Sequence, residues 1–426
     1  MNILVFSVNA WDTTNSFGNT MSNFFDGNAW KNCNFYNIYT RNSLPNNKVC
    51  NSYYRMTLID MLKYNFFKNK IGYSFVLTNN NDNEKKVKNE QKYIDFIHKY
   101  SLNFIYPIVD MVYRKKKWLN DNFKKYINDA NPDIFFSFLT DVAILKPVIE
   151  YVKINTNAKV VLFIADDVYG SYNSKSFFRK GKLKKEFKNI LNMADKVYAI
   201  SYELKKEYSK IFNNNIDVFC KGCLFDYNVK SDLNNPLRFV YAGNLFYGRD
   251  KILARIAQTI ENNNKMNKQK ALLEIYTSAT IDKALKDSLN IDNSSIIIGK
   301  KSYDDIKKIM HDAEYNLHVE SFEKNQIDIV KYSFSTKIID CLQSGSSILA
   351  IGPNNIASIR FIKKVPGACV IDDLDKIENE IIMLINNKKE ILKNAETIRK
   401  FALENFNIEK NQKRLKEDFL KLKNEK

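Results

Sequence analysis

Residues 315–353 constrain the fold more than any other part of the chain. An apolar stretch ending at residues 318–320 leads into a polar loop, and an amphipathic stretch opens at residues 333–337. That stretch ends at Gly345, and the apolar run 348–351 follows almost at once. A strand, a loop, a helix and a second buried strand in this order predict a βαβ unit with parallel strands.

The predicted helix opens with hydroxyl side chains and a lysine, namely Ser335, Thr336 and Lys337. The first turn of a helix has free N–H groups and the positive end of the helix dipole. Together with the ammonium of Lys337 they would face a negatively charged group, most simply a phosphate. The segment therefore predicts an anion site.

The length and composition of the chain indicate a globular protein with two domains. With 426 residues the chain is too long for one ordinary core. Hydrophobic residues make up 45% and charged residues 27%, which is typical of globular proteins rather than disordered or fibrous ones. No apolar run reaches transmembrane length, and residues 1–8 resemble a buried strand more than a signal peptide. We therefore expect a cytoplasmic protein.

Apolar strand-like runs alternate with helical stretches in both halves of the chain, which predicts two doubly wound α/β domains. The polar segment 226–236 is the predicted boundary, and the polar run 79–90 is predicted to be a loop. A charged terminal helix is expected over residues 410–423. The predicted strands are 3–8, 134–138, 160–164, 197–200, 216–219, 237–243, 272–276, 295–298, 315–319, 347–351 and 369–371.

The six cysteines and three histidines give little support for a metal centre. Only Cys220 and Cys223 have the spacing of a metal half-site, and no second pair completes it. We expect reduced, structural thiols and no metal cofactor.

The formal net charge of +18 indicates an anionic partner without identifying it. Two basic runs that include aromatic residues, 114–118 and 177–188, lie in the first half of the chain. Such runs suit the anionic inner surface of a cell membrane. They are equally consistent with solvated helix faces, and the sequence leaves both interpretations open.

The Ser-x-Ser-Thr-Lys segment at 333–337, followed by Gly345 and the strand 348–351, resembles the donor site of retaining GT-B glycosyltransferases of family 4. The variant looks like the bacterial surface-polysaccharide branch of that group. The resemblance implies two Rossmann-like domains facing a cleft. The acceptor-side domain would span residues 1–226, the nucleotide-sugar domain 227–400, and the C-terminal helix 401–426 would pack back on the first domain.

The same resemblance implies an activity and its partners. The chain would transfer a sugar from a nucleoside-diphosphate sugar to a lipid-linked or glycan acceptor. The expected donor is a UDP-sugar or a GDP-sugar. The expected mechanism retains anomeric configuration and needs no metal. The expected partners exclude nucleic acid and include the inner face of the cell membrane through peripheral association.

The loop after the strand 237–243 supplies further donor-site candidates. Gly243 would allow a diphosphate to approach the backbone. The resembled family has Arg directly after this glycine and Lys six positions beyond it; here those positions are Asn244 and Arg249. Arg249 preserves the positive charge, and its guanidinium offers a forked donor for phosphate oxygens. The alternative interpretation is that Arg249 is an ordinary surface arginine.

The carboxylates match the family only in part. Its Glu-x7-Glu signature places the second acid at Asp340 and the first at Tyr332, which is not acidic. Glu320, at the end of the preceding strand, is the candidate to supply the missing carboxylate. Asp340 would bind the ribose hydroxyls. The alternative interpretation is a structural role, in which Asp340 forms a surface ion pair with Lys337, three residues earlier on the same helix.

Five further positions follow from the resemblance. The turn at Gly299 would lie under the nucleotide base, and Gly18 and Asn19 would lie on the acceptor side. Asp166 and Asp167 follow the strand 160–164, where one of them would orient or deprotonate an acceptor hydroxyl. The alternative for this pair is a helix N-cap.

Two other functions remain open from the sequence. A non-hydrolysing nucleotide-sugar epimerase shares the expected architecture but requires carboxylates and histidines that the sequence does not reveal. A catalytically inactive accessory subunit of the same fold is the second alternative, because Tyr332 replaces an expected acid.

Overall fold

The computed structural model describes residues 1–67, 71–77, 105–266 and 269–425. The chain divides into two compact units, of which the first comprises Met1–Cys220 with Glu409–Lys426 and the second Lys221–Ile408. The predicted loop at 79–90 lies outside the described residues. None of the helices in the described part of the chain has the length and apolarity needed to span a membrane.

In the described residues the first unit is built on an eight-stranded sheet of order β4-β3-β2-β1-β5-β6-β7-β8. Neighbouring strands are parallel except for the antiparallel pair β3–β4. The five strands predicted in this half are present to within one residue at each end, whereas β2, β3 and β4 were not predicted. The strands are β1 (Asn2–Ser7), β2 (Asn34–Tyr39), β3 (Cys50–Arg55), β4 (Tyr73–Phe75), β5 (Ile134–Phe138), β6 (Lys159–Ile164), β7 (Lys196–Ala199) and β8 (Ile216–Val218).

Polar side chains cap several helices of the first unit, among them Asn15, Asp141 and Ser201, each of which accepts a backbone N–H of the first turn. The helices are α1 (Ser16–Phe25), α2 (Leu58–Phe67), α3 (Ile105–Arg114), α4 (Asp121–Ala130), α5 (Val142–Asn155), α6 (Val168–Ser171), α7 (Phe177–Met193) and α8 (Tyr202–Ile211).

The sequence suggested that the basic run 114–118 lies in a helix, but in the structure the helix covers only its first residue. Helix α3 ends at Arg114, and Lys116 has a positive φ of 56°. Trp118 is fully buried and donates its indole N–H to the carbonyl of Tyr113. Trp118 is therefore part of the core and cannot contact a membrane surface.

The second unit contains a parallel sheet of six strands in the described residues, with the order β11-β10-β9-β12-β13-β14. All six predicted strands are present, and β12 and β13 are buried along their whole length, as expected for parallel strands covered on both faces. The strands are β9 (Leu237–Ala242), β10 (Ala271–Tyr276), β11 (Ser295–Ile297), β12 (Tyr315–Val319), β13 (Ser347–Ile351) and β14 (Cys369–Ile371).

The helices of the second unit connect these strands, and the chain then returns to the first unit. Ser302 caps one of them through a hydrogen bond from the N–H of Asp305, and its own hydroxyl donates to the Asp305 carboxylate, which is a variant of the capping box. The helices are α9 (Arg249–Met266), α10 (Lys283–Leu289), α11 (Tyr303–Asp312), α12 (Lys324–Val330), α13 (Lys337–Gln343), α14 (Ala357–Ile362), α15 (Ile377–Asn386) and α16 (Lys388–Asn405). The helix on the return to the first unit is α17 (Ile408–Asn424).

Helix α17 packs on the first unit through one apolar face. Its buried residues Leu415, Phe419 and Leu422 recur at helical spacing. The ring of Phe419 lies 5.7 Å from that of Trp30, measured between centroids, and the amide of Gln412 donates to the carbonyl of Asn23. These contacts make the C-terminal helix part of the first core.

Candidate functional site

The strand order of the second unit predicts where a ligand binds. From β9 the chain winds to β10 and β11 on one side, and it then continues with β12, β13 and β14 on the other. The loops that follow β9 and β12 therefore leave the sheet in opposite directions and open a crevice at the carboxyl ends of these strands. Gly243 follows β9 and Glu320 follows β12. Both are predicted site residues.

Gly243 lies directly beneath the ammonium of Lys337. A Cβ placed on Gly243 would lie 2.8 Å from Lys337 Nζ and 2.7 Å from the hydroxyl of Tyr241. Lys337 begins α13, so the structure brings together two candidates from different loops. A side chain at position 243 would therefore displace the Lys337 ammonium or the Tyr241 hydroxyl.

The ammonium of Lys337 forms no hydrogen bond or ion pair within the part of the chain that the structure describes. Lys337 as a whole residue is exposed, although protein atoms surround its ammonium. Loss of surrounding water, together with the positive charge of Arg249, lowers the pKa of Lys337, and the carboxylates of Asp340 and Glu320 oppose this effect. An anion bound next to Nζ would relieve this unfavourable environment.

Arg249 is held by Glu320 in an ion pair. Its Nη2 donates to both carboxylate oxygens at 2.9 Å, and its Nε donates to Oε2 at 3.1 Å. Its Nη1 donates to Oδ1 of Asn244 at 2.6 Å. Three predicted site residues therefore form one network, and Arg249 is not an ordinary surface arginine.

Burial shapes the protonation of Glu320 and of its neighbour His318. Glu320 is only 3% exposed, and this burial raises its pKa although Arg249 acts in the opposite direction. His318 Nε2 lies 3.5 Å from Glu320 Oε1 and has no hydrogen-bond partner among the described residues. Burial, with Arg249 and Lys337 nearby, lowers the pKa of His318 to about 3. The imidazole is therefore neutral at physiological pH.

Sequence analysis did not identify His318 as part of this site. The signal was available, because residues two apart on a strand point to the same face of the sheet. His318 is two residues before Glu320, so the alternation that places the carboxylate near the crevice places the imidazole beside it.

Asp340 pairs with Lys221 rather than with Lys337. Its Oδ1 accepts from the hydroxyl of Tyr303 at 2.9 Å and from Nζ of the buried Lys221 at 3.5 Å. The alternative that the sequence offered for Asp340, a surface pair with Lys337, is not among the described ion pairs. Every hydrogen bond described for Asp340 goes to Oδ1.

The remaining donor-side candidates lie at turns and at a helix start. Gly299 follows β11 with a φ of +92°, and nothing lies within 4 Å of the position that its Cβ would occupy. Ser335 and Thr336 precede α13, and their carbonyls accept the N–H groups of Ile338 and Ile339. Their backbone thus forms the first turn of the short helix that presents Lys337.

The predicted acceptor-side residues of the first unit have structural roles at the start of α1. The N–H of Gly18 donates to Oδ1 of the capping residue Asn15, and that of Asn19 donates to the Asn15 carbonyl. A Cβ on Gly18 would lie 2.0 Å from the carbonyl oxygen of Asp12. Close packing of the turn on α1 therefore requires glycine at this position.

The two aspartates after β6 differ from each other. Asp167 caps α6: its Oδ1 accepts from the N–H of Gly170 at 2.9 Å and from the hydroxyl of Tyr208 at 3.0 Å. Asp166 is exposed. The capping alternative therefore describes Asp167 in this structure.

A third carboxylate of the first unit was missed by sequence analysis. Asp141 follows β5 and caps α5 by accepting the N–H of Ala143 at 3.0 Å. Burial raises the pKa of Asp141 to about 6; the Ala143 N–H opposes this rise and the charge of Asp110 adds to it. In the described residues no cluster of three or more His, Cys, Asp or Glu side chains could hold a metal ion.

Comparison with known proteins identifies the fold. No protein-family model and no curated protein matches the chain. Among solved structures, Anabaena HepE in complex with UDP has a TM-score of 0.65 and 11% identity, over 99% of this chain and 100% of that one. The chain has the GT-B fold. This confirms the predicted fold class.

Two further GT-B structures are similar over nearly their full lengths. Sucrose-phosphate synthase from Thermosynechococcus elongatus has a TM-score of 0.63 and 10% identity, over 99% of each chain. WaaG, a glycosyltransferase involved in lipopolysaccharide biosynthesis, has a TM-score of 0.60 and 10% identity, over 98% of this chain and 99% of that one.

Proposed function

We propose that this protein transfers a sugar from a nucleoside-diphosphate sugar to a lipid-linked or glycan acceptor in the synthesis of a bacterial surface polysaccharide. One observation carries the proposal: the unpaired ammonium of Lys337 lies over the bare backbone of Gly243 at the switch point of the second sheet. A cation without a partner, next to a glycine whose backbone carries no side chain of its own, suits a diphosphate.

In this proposal the reaction depends on stabilising the leaving nucleoside diphosphate. Negative charge grows on the diphosphate as the bond to the sugar breaks. The fixed charge of Lys337 is already in place, so it stabilises that charge without reorganisation. Transfer with retention, the mechanism that we propose, then requires no protein nucleophile and no metal.

Arg249 would join the diphosphate by exchanging partners. In this structure Glu320 occupies its guanidinium in a forked pair. A diphosphate offers oxygens with the same geometry as a carboxylate, so it competes with Glu320 for the same donors. Glu320, once released, would face the transferred sugar as the carboxylate that replaces the acid missing at Tyr332.

The other donor contacts follow from position. Oδ2 of Asp340 would accept a ribose hydroxyl, because Tyr303 and Lys221 engage Oδ1. The open turn at Gly299 would lie against the base. The hydroxyls of Ser335 and Thr336 would donate to phosphate oxygens beside Lys337. UDP is the first nucleotide to test, because HepE was solved in complex with UDP.

On the first unit we retain the acceptor-side assignment for Gly18 and Asn19, and for Asp166 as the group that orients the acceptor hydroxyl. Asp166 is the exposed member of its pair. WaaG acts in lipopolysaccharide biosynthesis, which supports a lipid-linked acceptor for a chain of this fold.

The test is a thermal-shift screen with UDP, GDP, CMP and dTDP and their common sugar conjugates. A ligand at a hundred times its Kd stabilises a protein by about 2.7 kcal/mol, so the correct nucleotide should raise Tm clearly. Lys337→Ala should remove this shift and lower sugar transfer at least about a hundredfold, because the fixed charge next to the diphosphate is lost. Lys324→Ala is the matched control, since this exposed lysine of α12 lies outside the site.

The screen also separates the proposal from its main alternative. An accessory subunit of the same fold has no need for a nucleotide, so a Tm that no nucleotide changes would favour that function. Full transfer activity in Lys337→Ala would instead leave the enzyme in place and disprove the donor-site assignment.

A further inference from the structure

An imidazole without a hydrogen bond lies beside the proposed donor residues. His318 is the fourth residue of β12 and is 6% exposed. Its Nε2 is buried and has no hydrogen-bond partner among the residues that the structure describes. Buried polar atoms are normally hydrogen-bonded, because an unpaired donor or acceptor away from water is costly. An unpaired nitrogen at this position therefore calls for an explanation from function.

The unpaired nitrogen lies near the carboxylate of Glu320. The distance from His318 Nε2 to Glu320 Oε1 is 3.5 Å, which is too long for a good hydrogen bond. Arg249 donates to both oxygens of this carboxylate, so Glu320 does not need the imidazole in this structure. Glu320 thus has a second nitrogen group close by that it does not use.

The surroundings of His318 keep its imidazole neutral. Burial is the main cause that lowers the pKa of His318 to about 3, and the charges of Arg249 and Lys337 add to it. These two residues begin α9 and α13, so both cations reach the imidazole from other elements. A proton on His318 would place a third positive charge next to them. The site therefore disfavours this proton as long as no anion is bound.

The other titratable groups of the neighbouring elements leave one competitor for a proton. Burial raises the pKa of the Tyr241 hydroxyl on β9, and it raises that of the Cys341 thiol on α13 to about 12. The carboxylate of Asp340 already accepts hydrogen bonds from two other side chains. Lys337 is the competitor, because burial lowers its pKa and an anion would favour its charged form. A test must separate Lys337 from His318.

A bound diphosphate would reverse the conditions that keep His318 neutral. This step rests on the proposed function, in which the diphosphate takes Arg249 from Glu320. The negative charge of the diphosphate then offsets the two cations, and the released carboxylate is left buried without its cation. An opposite charge within about 4–6 Å favours the charged form of an imidazole. Both changes favour a proton on Nε2.

We propose that His318 and Glu320 together take up one proton from solvent when a nucleoside diphosphate binds, and that the imidazolium then holds Glu320 in place of Arg249. The proton belongs to the pair, because two strongly interacting groups titrate together. Nε2–H donates to Oε1, which leaves Oε2 to face the transferred sugar. His318 is thus a positioning residue that acts through Glu320.

Uptake of a proton makes donor binding weaker as pH rises. One proton taken up on binding raises Kd about tenfold per pH unit. Arg249 contributes nothing to this dependence, because a guanidinium stays protonated throughout. A donor site without the histidine would therefore lose most of its pH dependence, apart from any contribution of Lys337.

Isothermal titration calorimetry of the full-length protein counts these protons. UDP and GDP are titrated separately at about pH 7.5 in HEPES, imidazole and Tris, buffers that differ in ionisation enthalpy. The slope of binding enthalpy against ionisation enthalpy is the number of protons taken up. We expect His318→Gln to take up about one proton fewer than the unchanged protein, because its amide can donate to Glu320 but cannot titrate. Any proton of the nucleotide itself cancels in this difference.

Glu320→Gln is the second variant, and it should also take up about one proton fewer, because it releases no carboxylate. His311→Gln is the matched control. His311 is the other histidine of the second unit, and its described contacts are with the ring of Tyr227 and the carbonyl of Ser344. This control should take up as many protons as the unchanged protein. The count on the unchanged protein requires no variant, so it decides even where a variant does not fold.

Each other outcome contradicts a different step. Binding of a nucleotide without proton uptake by the unchanged protein would overturn the inference and leave the proposed function intact. Equal uptake by His318→Gln and the unchanged protein would assign the proton to Glu320 or Lys337 alone, and His318 would then have no part in it. Absence of binding by both nucleotides would disprove the proposed function, and the inference with it.

Discussion

The two units have related sheet topologies but carry opposite charges at their switch points. In the second unit the loops after β9 and β12 present Arg249 and Lys337, and Lys337 has no partner among the described residues. In the first unit the switch point lies between β1 and β5, and the loop after β5 presents the carboxylate of Asp141. Sheet order fixes where a ligand binds, whereas the loops decide its charge.

The comparison extends to how each unit treats its charged groups. The second unit keeps a buried carboxylate, Glu320, to hold one cation and leaves the other unpaired. In the first unit two carboxylates that follow strands, Asp141 and Asp167, cap helices. The second unit thus leaves one cation, Lys337, without a partner among the described residues, while these two acids of the first unit satisfy backbone N–H groups.

Glu320→Gln gives the largest effect expected from this comparison. The change leaves Arg249 buried with a neutral partner, and loss of one partner of a buried ion pair costs about 3 kcal/mol. We expect the free energy of unfolding without nucleotide to fall by this order. UDP should then stabilise the variant more than it stabilises the unchanged protein, because the diphosphate no longer competes with a carboxylate for Arg249.

Denaturant unfolding with and without UDP measures both effects. Glu323→Gln is the matched control, since Glu323 forms an exposed ion pair with Lys251, and such pairs contribute at most about 1 kcal/mol. If UDP stabilises Glu320→Gln no more than the unchanged protein, Arg249 does not exchange Glu320 for a diphosphate.

Asp141→Asn tests the acidic switch point through its pH dependence. The pKa of Asp141 is raised from 3.8 to about 6 in the folded protein, first by burial. A folded pKa above the unfolded one means that stability is lost as pH rises from about 4 to about 6. Asparagine keeps the capping oxygen but carries no charge, so the variant should be more stable by about 2 kcal/mol at pH 7.5.

Thermal unfolding between pH 4 and pH 8 measures this gain, which should vanish near pH 4. Asp282→Asn is the control, because Asp282 also caps a helix through its side chain but is exposed. A gain that is the same at every pH, or that appears equally in the control, would mean that the Asp141 carboxylate is not penalised by burial.

Strand patterns explain why the second unit was predicted better than the first. Its central strands are continuous apolar runs, as in Ser347–Ile351, which only a buried strand or helix allows. The missed strands Asn34–Tyr39 and Cys50–Arg55 mix asparagine, serine and tyrosine with apolar residues, and their tyrosines pack in an aromatic core. Composition alone did not separate them from loops.

The sequence indicated candidate residues for the site but not their pairings. Gly243, Arg249 and Lys337 became candidates because glycine and cations at strand ends have a physical meaning in any parallel sheet. The ion pair of Arg249 with Glu320 joins residues 71 positions apart. It depends on β9 and β12 being neighbours, which strand positions alone do not specify.

Asp167 offers the smallest and most direct test of the comparison. If the acids of the first unit serve to cap helices, Asp167→Asn should keep sugar transfer within about twofold, because the amide oxygen still accepts from Gly170 and Tyr208. Asp167→Ala should cost about 1 kcal/mol of stability through loss of the cap. Initial rates and thermal unfolding of both variants measure this. A loss of more than about a hundredfold in Asp167→Asn, at unchanged stability, would instead make Asp167 the base that the sequence suggested, and the acidic edge of the first unit would then be catalytic.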